Sequence, residues 1–189
     1  MIVVGVDVHK HSLSAVAVDE LGRQLDAWEG TVVTHDRPVT GRRYPTLREV
    51  VDLCAGRIGL MVELKRPRAD DVARALDLLP DDAVLVSFNR PALVAARALR
   101  PTLRTVQHVG FGVSIRGAAG AWAAGFADRR VTARGLRAAR ALGLVPLVYT
   151  VNDAARMEQL VALGAAGVFT DRPEIGRRVS TVASSSDAV

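Results

Sequence analysis

From about residue 44 onward, the chain alternates short apolar runs with segments of helical periodicity, and this alternation constrains the fold most. The runs recur at intervals of about 20 to 25 residues, which suits one strand and one helix per unit. Strands that are apolar on both faces and separated by helices form a parallel sheet with helices outside it. The sequence therefore predicts an α/β fold. The predicted strands are residues 59–64, 83–88, 105–109, 145–151 and 167–170.

Several predicted helices carry start signals. Thr46 and Glu49 have the spacing of a capping box, in which the hydroxyl accepts from the Glu49 amide while Glu49 reaches back. Asn89, Thr132 and Asn152 each directly precede a helical segment and are predicted N-caps. These local signals support the helix assignments independently of periodicity.

The first thirty residues follow a different pattern. Residues 2–7, 13–19 and 23–28 are predicted as three strands joined by short turns, without helices between them. Such a segment forms an antiparallel meander. We therefore divide the chain into an N-terminal β-meander (1–30), an α/β portion (31–178) and a disordered tail (179–189).

Composition narrows the class of protein. The net charge of +5 and the pI near 10.3 suit an anionic partner, but the basic residues are scattered arginines, which argues against nucleic acid. Cys54 is the single cysteine and lies on an apolar helix face, so a buried, inert thiol is expected. No apolar run reaches the roughly 18 residues of a membrane span, and the N-terminus lacks a secretion signal. We expect a cytoplasmic protein.

Polar residues collect at the predicted C-terminal ends of the strands, where parallel sheets bind their ligands. These ends are residues 63–65, 87–89, 107–108, 149–152 and 170–171. They offer a carboxylate suited to a metal ion and a lysine suited to an anion. The same residues could instead be helix caps, and Glu63 with Lys65 could be a simple ion pair.

Six segments, taken in order, resemble glycerophosphodiester phosphodiesterases over residues 31–178. They are VVTHD, YPTLREVVDLC, GLMVELK, AVLVSF, LGLVPLVYTVND and LGAAGVFTDRP. The resemblance implies a TIM-barrel-like (β/α) fold. A complete barrel of this kind takes about 250 residues, and the chain has 189. An incomplete parallel barrel preceded by a short antiparallel β-meander is therefore expected.

The resemblance also implies a hydrolase of lipid metabolism that splits a glycerophosphodiester into an alcohol and glycerol 3-phosphate. It implies two acid–base histidines and a divalent metal, Mg²⁺ or Ca²⁺. His35 matches the second family histidine, Glu63 the metal-binding glutamate and Lys65 the phosphate-facing lysine. Phe88 and Tyr149 match pocket-lining, substrate-binding positions, with Tyr149 where the family usually has tryptophan.

The family's HRG motif and E-L-D motif are missing. Their loss removes one acid–base histidine and two metal ligands, so we expect weak or absent activity and weak metal binding, if any. A non-catalytic degenerate fusion is the alternative. The sequence leaves open which glycerophosphodiester is used, which metal binds and whether the chain oligomerises.

Residues 1–30 also resemble the N-terminus of bacterial insertion-sequence transposases of the resolvase-like DEDD type. Asp7 matches the first catalytic aspartate of that group. The other acidic residues of that active site have no counterpart, and one carboxylate cannot hold a metal pair. We therefore do not expect transposase activity, although a DNA-binding remnant remains an alternative. His9 and His11 are expected to be turn residues, and Asp7 could reach a metal together with Glu63.

Overall fold

The computed structural model describes residues 46–57, 59–65, 67–110, 112–172 and 175, together with the backbone of four N-terminal strands. The strands are β1 (Val3–Gly5), β2 (Asp7–His9), β3 (Ser12–Val18), β4 (Gln24–Gly30), β5 (Gly59–Glu63), β6 (Val84–Ser87), β7 (Arg104–His108), β8 (Ala123–Ala127), β9 (Val145–Tyr149) and β10 (Gly167–Val168). The helices are α1 (Leu47–Cys54), α2 (Ala69–Leu78), α3 (Arg90–Leu99), α4 (Ala133–Ala141) and α5 (Ala154–Ala162).

Seven strands form one sheet in the order β1-β5-β6-β7-β8-β9-β10. Every pairing in it is parallel. Helix α1 precedes β5, and α2, α3, α4 and α5 directly precede β6, β7, β9 and β10, whereas a short 3₁₀ helix lies between β7 and β8. Parallel neighbours need such crossover connections. The predicted incomplete, barrel-like α/β architecture is confirmed.

The N-terminal prediction is partly wrong. Strands β2, β3 and β4 do form an antiparallel sheet, in the order β2-β3-β4. The predicted strand 2–7 is divided, however, because β1 pairs in parallel with β5 and only Asp7–His9 joins the meander. Since β5 would otherwise be the edge of the parallel sheet, β1 satisfies backbone groups that an edge strand leaves unpaired. Asp7 therefore opens a strand rather than closing one.

The two faces of the large sheet carry separate hydrophobic cores, as the alternation of side chains along a strand requires. On the helical side, Leu60 and Leu85 pack with α1 to α3, and Val148 packs with α4 and α5. The inner face has a core whose buried members all come from strands. They are Met61, Val84, Val86, Val106, Ala123 and Leu147. This inner core forms the floor beneath the C-terminal strand ends.

The predicted helix starts are confirmed at three positions. Thr46 and Glu49 form both hydrogen bonds of the capping box, and the side chains of Asn89 and Thr132 each cap the following helix. Cys54 is buried, as expected, and burial raises the pKa of its thiol. In the described part of the chain, no helix is long and apolar enough to cross a membrane. The predicted tail lies outside the described residues.

Strand β8 was not predicted from the sequence. Four of its five residues are alanine or glycine, the exception being Phe126, and Ala123 and Ala124 are fully buried. A residue without a side chain is needed at position 125 because the His108 ring of the neighbouring strand β7 lies against it. A Cβ atom on Gly125 would lie 2.2 Å from Nδ1 of His108.

Candidate active site

The strands of the large sheet bring five polar or aromatic side chains to one end. Glu63 ends β5 and Lys65 follows it, Phe88 follows β6, His108 ends β7 and Tyr149 ends β9. Because the strands are parallel, their C-terminal ends lie on the same side of the sheet. The candidate residues Glu63, Lys65, Phe88 and Tyr149 are thus brought to one side, with His108 among them.

The charged part of this site is a pair on the end of β5. Nζ of Lys65 lies 3.5 Å from Oε2 of Glu63. The Glu63 side chain is only 17% exposed, whereas that of Lys65 is 46% exposed. The ion pair considered from the sequence is therefore formed, and the Lys65 side chain is half-exposed within it.

Beside this pair lies an aromatic cluster, defined here as Phe88, His108, Tyr149 and Phe169. The His108 ring centroid lies 4.2 Å from that of Tyr149, 4.5 Å from Phe88 and 5.9 Å from Phe169. Phe88 and Phe169 meet Tyr149 edge-on, at 5.9 and 6.4 Å. His108 is thus in contact range of the three other rings.

Burial keeps the two ionisable members of the aromatic cluster neutral. Desolvation lowers the pKa of His108 to about 4, with the Gly125 backbone opposing the shift and the charge of Lys65 adding to it. Desolvation and the charge of Glu63 raise the pKa of Tyr149 to about 12, which Arg130 partly offsets. At neutral pH this part of the site therefore offers hydrogen-bonding groups without charge.

Two buried side chains cross-link the strand ends. Nε2 of Gln107 donates to the carbonyl groups of Ser87, Phe88 and His108 at 3.1, 3.2 and 2.9 Å. Oγ of Ser87 donates to the Leu64 carbonyl at 2.7 Å and accepts from the Asn89 amide. These bonds connect the ends of β5, β6 and β7, so they fix the backbone that carries Phe88 and His108.

Asn152 performs a different task from the predicted one. The N-cap of α5 is Asp153, whose carboxylate accepts from the Arg156 amide. Asn152 instead accepts from the Thr170 hydroxyl and the Asp171 amide and donates to the Asp171 carboxylate. The prediction of Asn152 as a cap is wrong because these long-range partners, 18 and 19 residues away, satisfy its amide. They join the loops that follow β9 and β10.

For two other candidate residues, the structure describes no side-chain contacts. His35 lies outside the described residues, and Asp7 is described only by its backbone in β2. Gly5 of β1 pairs with Met61 of β5. The β1–β5 pairing ends there, and Asp7 begins β2, which pairs with β3 instead.

The described residues do not by themselves fit a tight divalent-cation site. Among them, no three His, Cys, Asp or Glu side chains converge. Mg²⁺ and Ca²⁺ take six or more oxygen ligands. Of the candidate acids, only Glu63 has a described side chain, and that carboxylate lies 3.5 Å from Lys65.

His108 was given no role in the sequence analysis, although it was noted at a strand end. Its neighbours Phe88 and Tyr149 lie about 20 and 40 residues away in the chain. Only its position among the polar strand ends could therefore have marked His108 as a site residue in the sequence. Its burial at 4% exposure could not be read from the sequence.

Comparison with known proteins gives a consistent result. Residues 6–175 match the glycerophosphoryl diester phosphodiesterase family. A glycerophosphodiester phosphodiesterase of Bacillus subtilis is 30% identical over 160 residues, covering 74% of this chain and 55% of the relative. The chain thus spans about half the length of the curated relative that it matches.

Solved structures share the fold. A candidate glycerophosphoryl diester phosphodiesterase from Silicibacter pomeroyi has a TM-score of 0.67 and 26% identity, covering 93% of this chain and 78% of that one. A glycerophosphodiester phosphodiesterase from Parabacteroides distasonis has a TM-score of 0.69 and 19% identity, covering 96% and 83%. A phosphodiesterase from Oleispira antarctica, in complex with sn-glycerol 3-phosphate, has a TM-score of 0.61 and 23% identity, covering 74% and 61%. The resemblance of residues 1–30 to transposases is not addressed by these matches and stays a prediction.

Proposed function

The chain belongs to the glycerophosphoryl diester phosphodiesterase family, and we propose that it binds glycerophosphodiesters and hydrolyses them weakly. The observation that carries this proposal is the Glu63–Lys65 pair beside the aromatic cluster, at the C-terminal ends of parallel strands. The positive charge of the half-exposed Lys65 side chain attracts a phosphodiester, and the neutral rings can contact its alcohol portion. The expected products are an alcohol and glycerol 3-phosphate.

Binding is assigned to this chain's own side chains. Lys65 would hold the phosphate by charge and hydrogen bonding, while Phe88 and Tyr149 would contact the alcohol portion. His35 would transfer the proton in acid–base catalysis. Loss of one of two acid–base groups costs about 10² to 10⁴-fold in rate, so a low turnover is expected.

We further propose that Glu63 and Asp7 bind a Mg²⁺ or Ca²⁺ ion weakly. Glu63 ends β5, and Asp7 begins β2 two residues after the end of β1, the strand that pairs with β5, which supports this pairing. When bound, such an ion supplies positive charge to the phosphate oxygens. Two carboxylates are fewer protein ligands than dedicated cation cages use, so we expect affinity in the millimolar range or weaker, about 10⁻³ M.

The test is hydrolysis of glycerophosphocholine by the purified chain with Mg²⁺ or Ca²⁺, beside the His35→Ala, Lys65→Met and Arg74→Ala variants. Arg74 is exposed on α2, away from the strand ends, and serves as the matched loss of a cation. We expect slow turnover that H35A and K65M abolish and R74A keeps.

Three results would change the proposal. Turnover within tenfold of a complete family member would refute the expected weakness. Saturable binding of glycerol 3-phosphate without turnover would favour the non-catalytic alternative. Salt-sensitive DNA binding at micromolar concentration, with no phosphodiester binding, would favour a nucleic-acid function.

A further inference from the structure

The excess positive charge of the chain is concentrated in one part of the fold. Residues 83–152 contain ten arginines and a single acidic residue, Asp128, whereas the rest of the chain has 15 basic and 19 acidic residues. The arginines are scattered along the sequence, but this part alone carries more than the whole net charge of +5. It comprises the strands β6 to β9 with the helices α3 and α4.

Half of these ten arginines serve the fold. Their guanidinium groups donate to backbone carbonyl groups or to a hydroxyl group of a neighbouring element. These arginines are Arg90, Arg97, Arg100, Arg104 and Arg140. Arg100, for example, donates to the Leu76 carbonyl in α2, and Arg140 donates to the Gly164 carbonyl after α5. Such arginines need no external partner to explain them.

Four further arginines form what we call the basic surface. They are Arg116, Arg129, Arg134 and Arg137, and all four are exposed. Arg134 and Arg137 lie on the outward side of α4, since Leu136 and Ala139 of the same helix are buried in the core. The basic surface therefore includes the solvent-facing side of a whole helix.

Short 3₁₀ helices bring the other two arginines to α4. Arg129 lies in the 3₁₀ helix Asp128–Arg130, between the C-terminal end of β8 and the start of α4. Arg116 lies in the 3₁₀ helix Ile115–Ala118, which packs against α4 because Ala118 is buried in the same core as Leu136. The basic surface thus begins at the end of the sheet that carries the candidate active site and continues along α4.

Folding gives no reason for this concentration of charge. Helix α4 contains no acidic residue, and the nearby Asp128 carboxylate is held by Arg156, with Nε and Oδ1 2.8 Å apart. Positive side chains three residues apart on one helix, such as Arg134 and Arg137, repel each other and weaken the helix. A partner of opposite charge would remove this repulsion.

Exposed leucines lie at the far end of the same helix layer. Leu142 directly follows α4 and its side chain is 47% exposed, and Leu163 follows α5 and is 37% exposed. The ends of the two helices are tied together, because Arg140 donates to the carbonyl of Gly164. Apolar side chains therefore accompany the positive charges of α4.

We propose that the basic surface, with Leu142 and Leu163 at its end, binds the surface of an anionic lipid bilayer. This inference goes beyond the proposed phosphodiesterase function and does not depend on it. The arginines attract anionic head groups, and the leucines enter the apolar boundary beneath them. Nucleic acid fits this surface less well, because residues 115–118 and 128–142 contain no aromatic, Asn or Gln side chain that could stack on bases or read them.

The test is co-sedimentation of the purified chain with vesicles of phosphatidylcholine, either alone or mixed with an equal amount of phosphatidylglycerol. We expect binding to the anionic vesicles only, and we expect high salt to abolish it because salt screens exposed charges. Arg134→Gln combined with Arg137→Gln should weaken this binding by at least about tenfold, since each arginine near an anionic membrane contributes about fivefold.

Two paired variants serve as controls. Arg48→Gln combined with Arg74→Gln removes two exposed arginines from α1 and α2, so it makes the same change in net charge elsewhere and should alter vesicle binding by less than about threefold. Arg134→Lys combined with Arg137→Lys keeps the charge and should bind like the intact chain. Circular dichroism checks that every variant is folded.

A further variant separates lipid from nucleic acid. Leu142→Ser should weaken binding to anionic vesicles by about threefold, because less apolar surface enters the bilayer. It should leave any binding to a double-stranded DNA oligonucleotide unchanged, since DNA phosphates attract the arginines alone.

Four outcomes would overturn the inference. The intact chain could fail to bind anionic vesicles at low salt, or it could bind neutral vesicles equally well. The control on α1 and α2 could lose as much binding as the variant on α4, which would show an effect of net charge alone. DNA could bind through Arg134 and Arg137 while vesicles do not, which would assign the basic surface to nucleic acid. Glycerophosphocholine turnover in solution measures the proposed function separately.

Discussion

The burial of His108 makes a quantitative prediction about stability and pH. The pKa of His108 is about 4 in the folded chain, against 6.5 for an unperturbed histidine. Between these two pH values the unfolded chain binds a proton that the folded chain does not. Protonation therefore favours unfolding, and the stability that His108 contributes is complete above about pH 6.5 and is lost as the pH falls toward 4.

The size of the effect follows from the pKa difference. At roughly 1.4 kcal/mol per pKa unit, the free energy of unfolding should fall by about 3 kcal/mol between pH 7 and pH 4 because of His108 alone. Other groups titrate in the same range, so the effect must be isolated with a variant. His108→Phe has a ring of similar size and no titratable group there, and it keeps the other three histidines.

The assay is urea unfolding of both proteins at pH 7, 6, 5 and 4, followed by circular dichroism. We expect the stability of the intact chain relative to H108F to fall by about 3 kcal/mol over this range, most of it between pH 6 and 4. Parallel pH profiles, differing in their change by less than about 1 kcal/mol, would show that His108 is not desolvated. A titration of the His108 ring by NMR with a midpoint above pH 6 would refute the argument directly.

Three further predictions concern the scaffold. Gln107→Met should lower the free energy of unfolding by about 2 kcal/mol, because two N–H groups lose their carbonyl partners, whereas Gln159→Met on the exposed face of α5 should change it by less than about 0.5 kcal/mol in urea unfolding. Leu85→Ala, at a fully buried position, should cost about 2 to 5 kcal/mol in the same assay, and a loss below about 1 kcal/mol would contradict the packing of β6. Cys54 should react with a disulfide reagent at pH 8 at least about tenfold more slowly in the folded chain than in urea, because burial raises its pKa; equal rates would place the thiol at the surface.

The repeated strand–helix order could be predicted because its signals are local. The capping box at Thr46 and the caps at Asn89 and Thr132 mark helix starts within a few residues. Strand β8 had no such signal, since alanine and glycine are depleted in strands. It exists because β7 and β9 pair with it on both sides and the His108 ring needs the space above Gly125.

In the candidate site, too, the features with local signals could be predicted and those that depend on distant contacts could not. The parallel order of the strands was enough to predict that Glu63, Lys65, Phe88 and Tyr149 lie at one end of the sheet. The hydrogen bonds of Asn152 to Thr170 and Asp171 depend on how β9 and β10 meet, which no local pattern encodes. Asn152, which has a strong preference for helix caps, therefore forms its hydrogen bonds with distant residues instead.

The arrangement of the site separates the requirements for binding from those for turnover. The residues proposed to bind the phosphate and the alcohol, Lys65 and the aromatic cluster, stand on strand ends that Ser87 and Gln107 hold together. The residues proposed for proton transfer and metal binding include His35 and Asp7, which belong to the N-terminal part of the chain. Changes there should alter turnover far more than affinity, because binding is proposed to need only the described strand ends. Changes at Lys65 should weaken affinity as well, so the ratio of turnover to affinity in each variant distinguishes the two halves of the site.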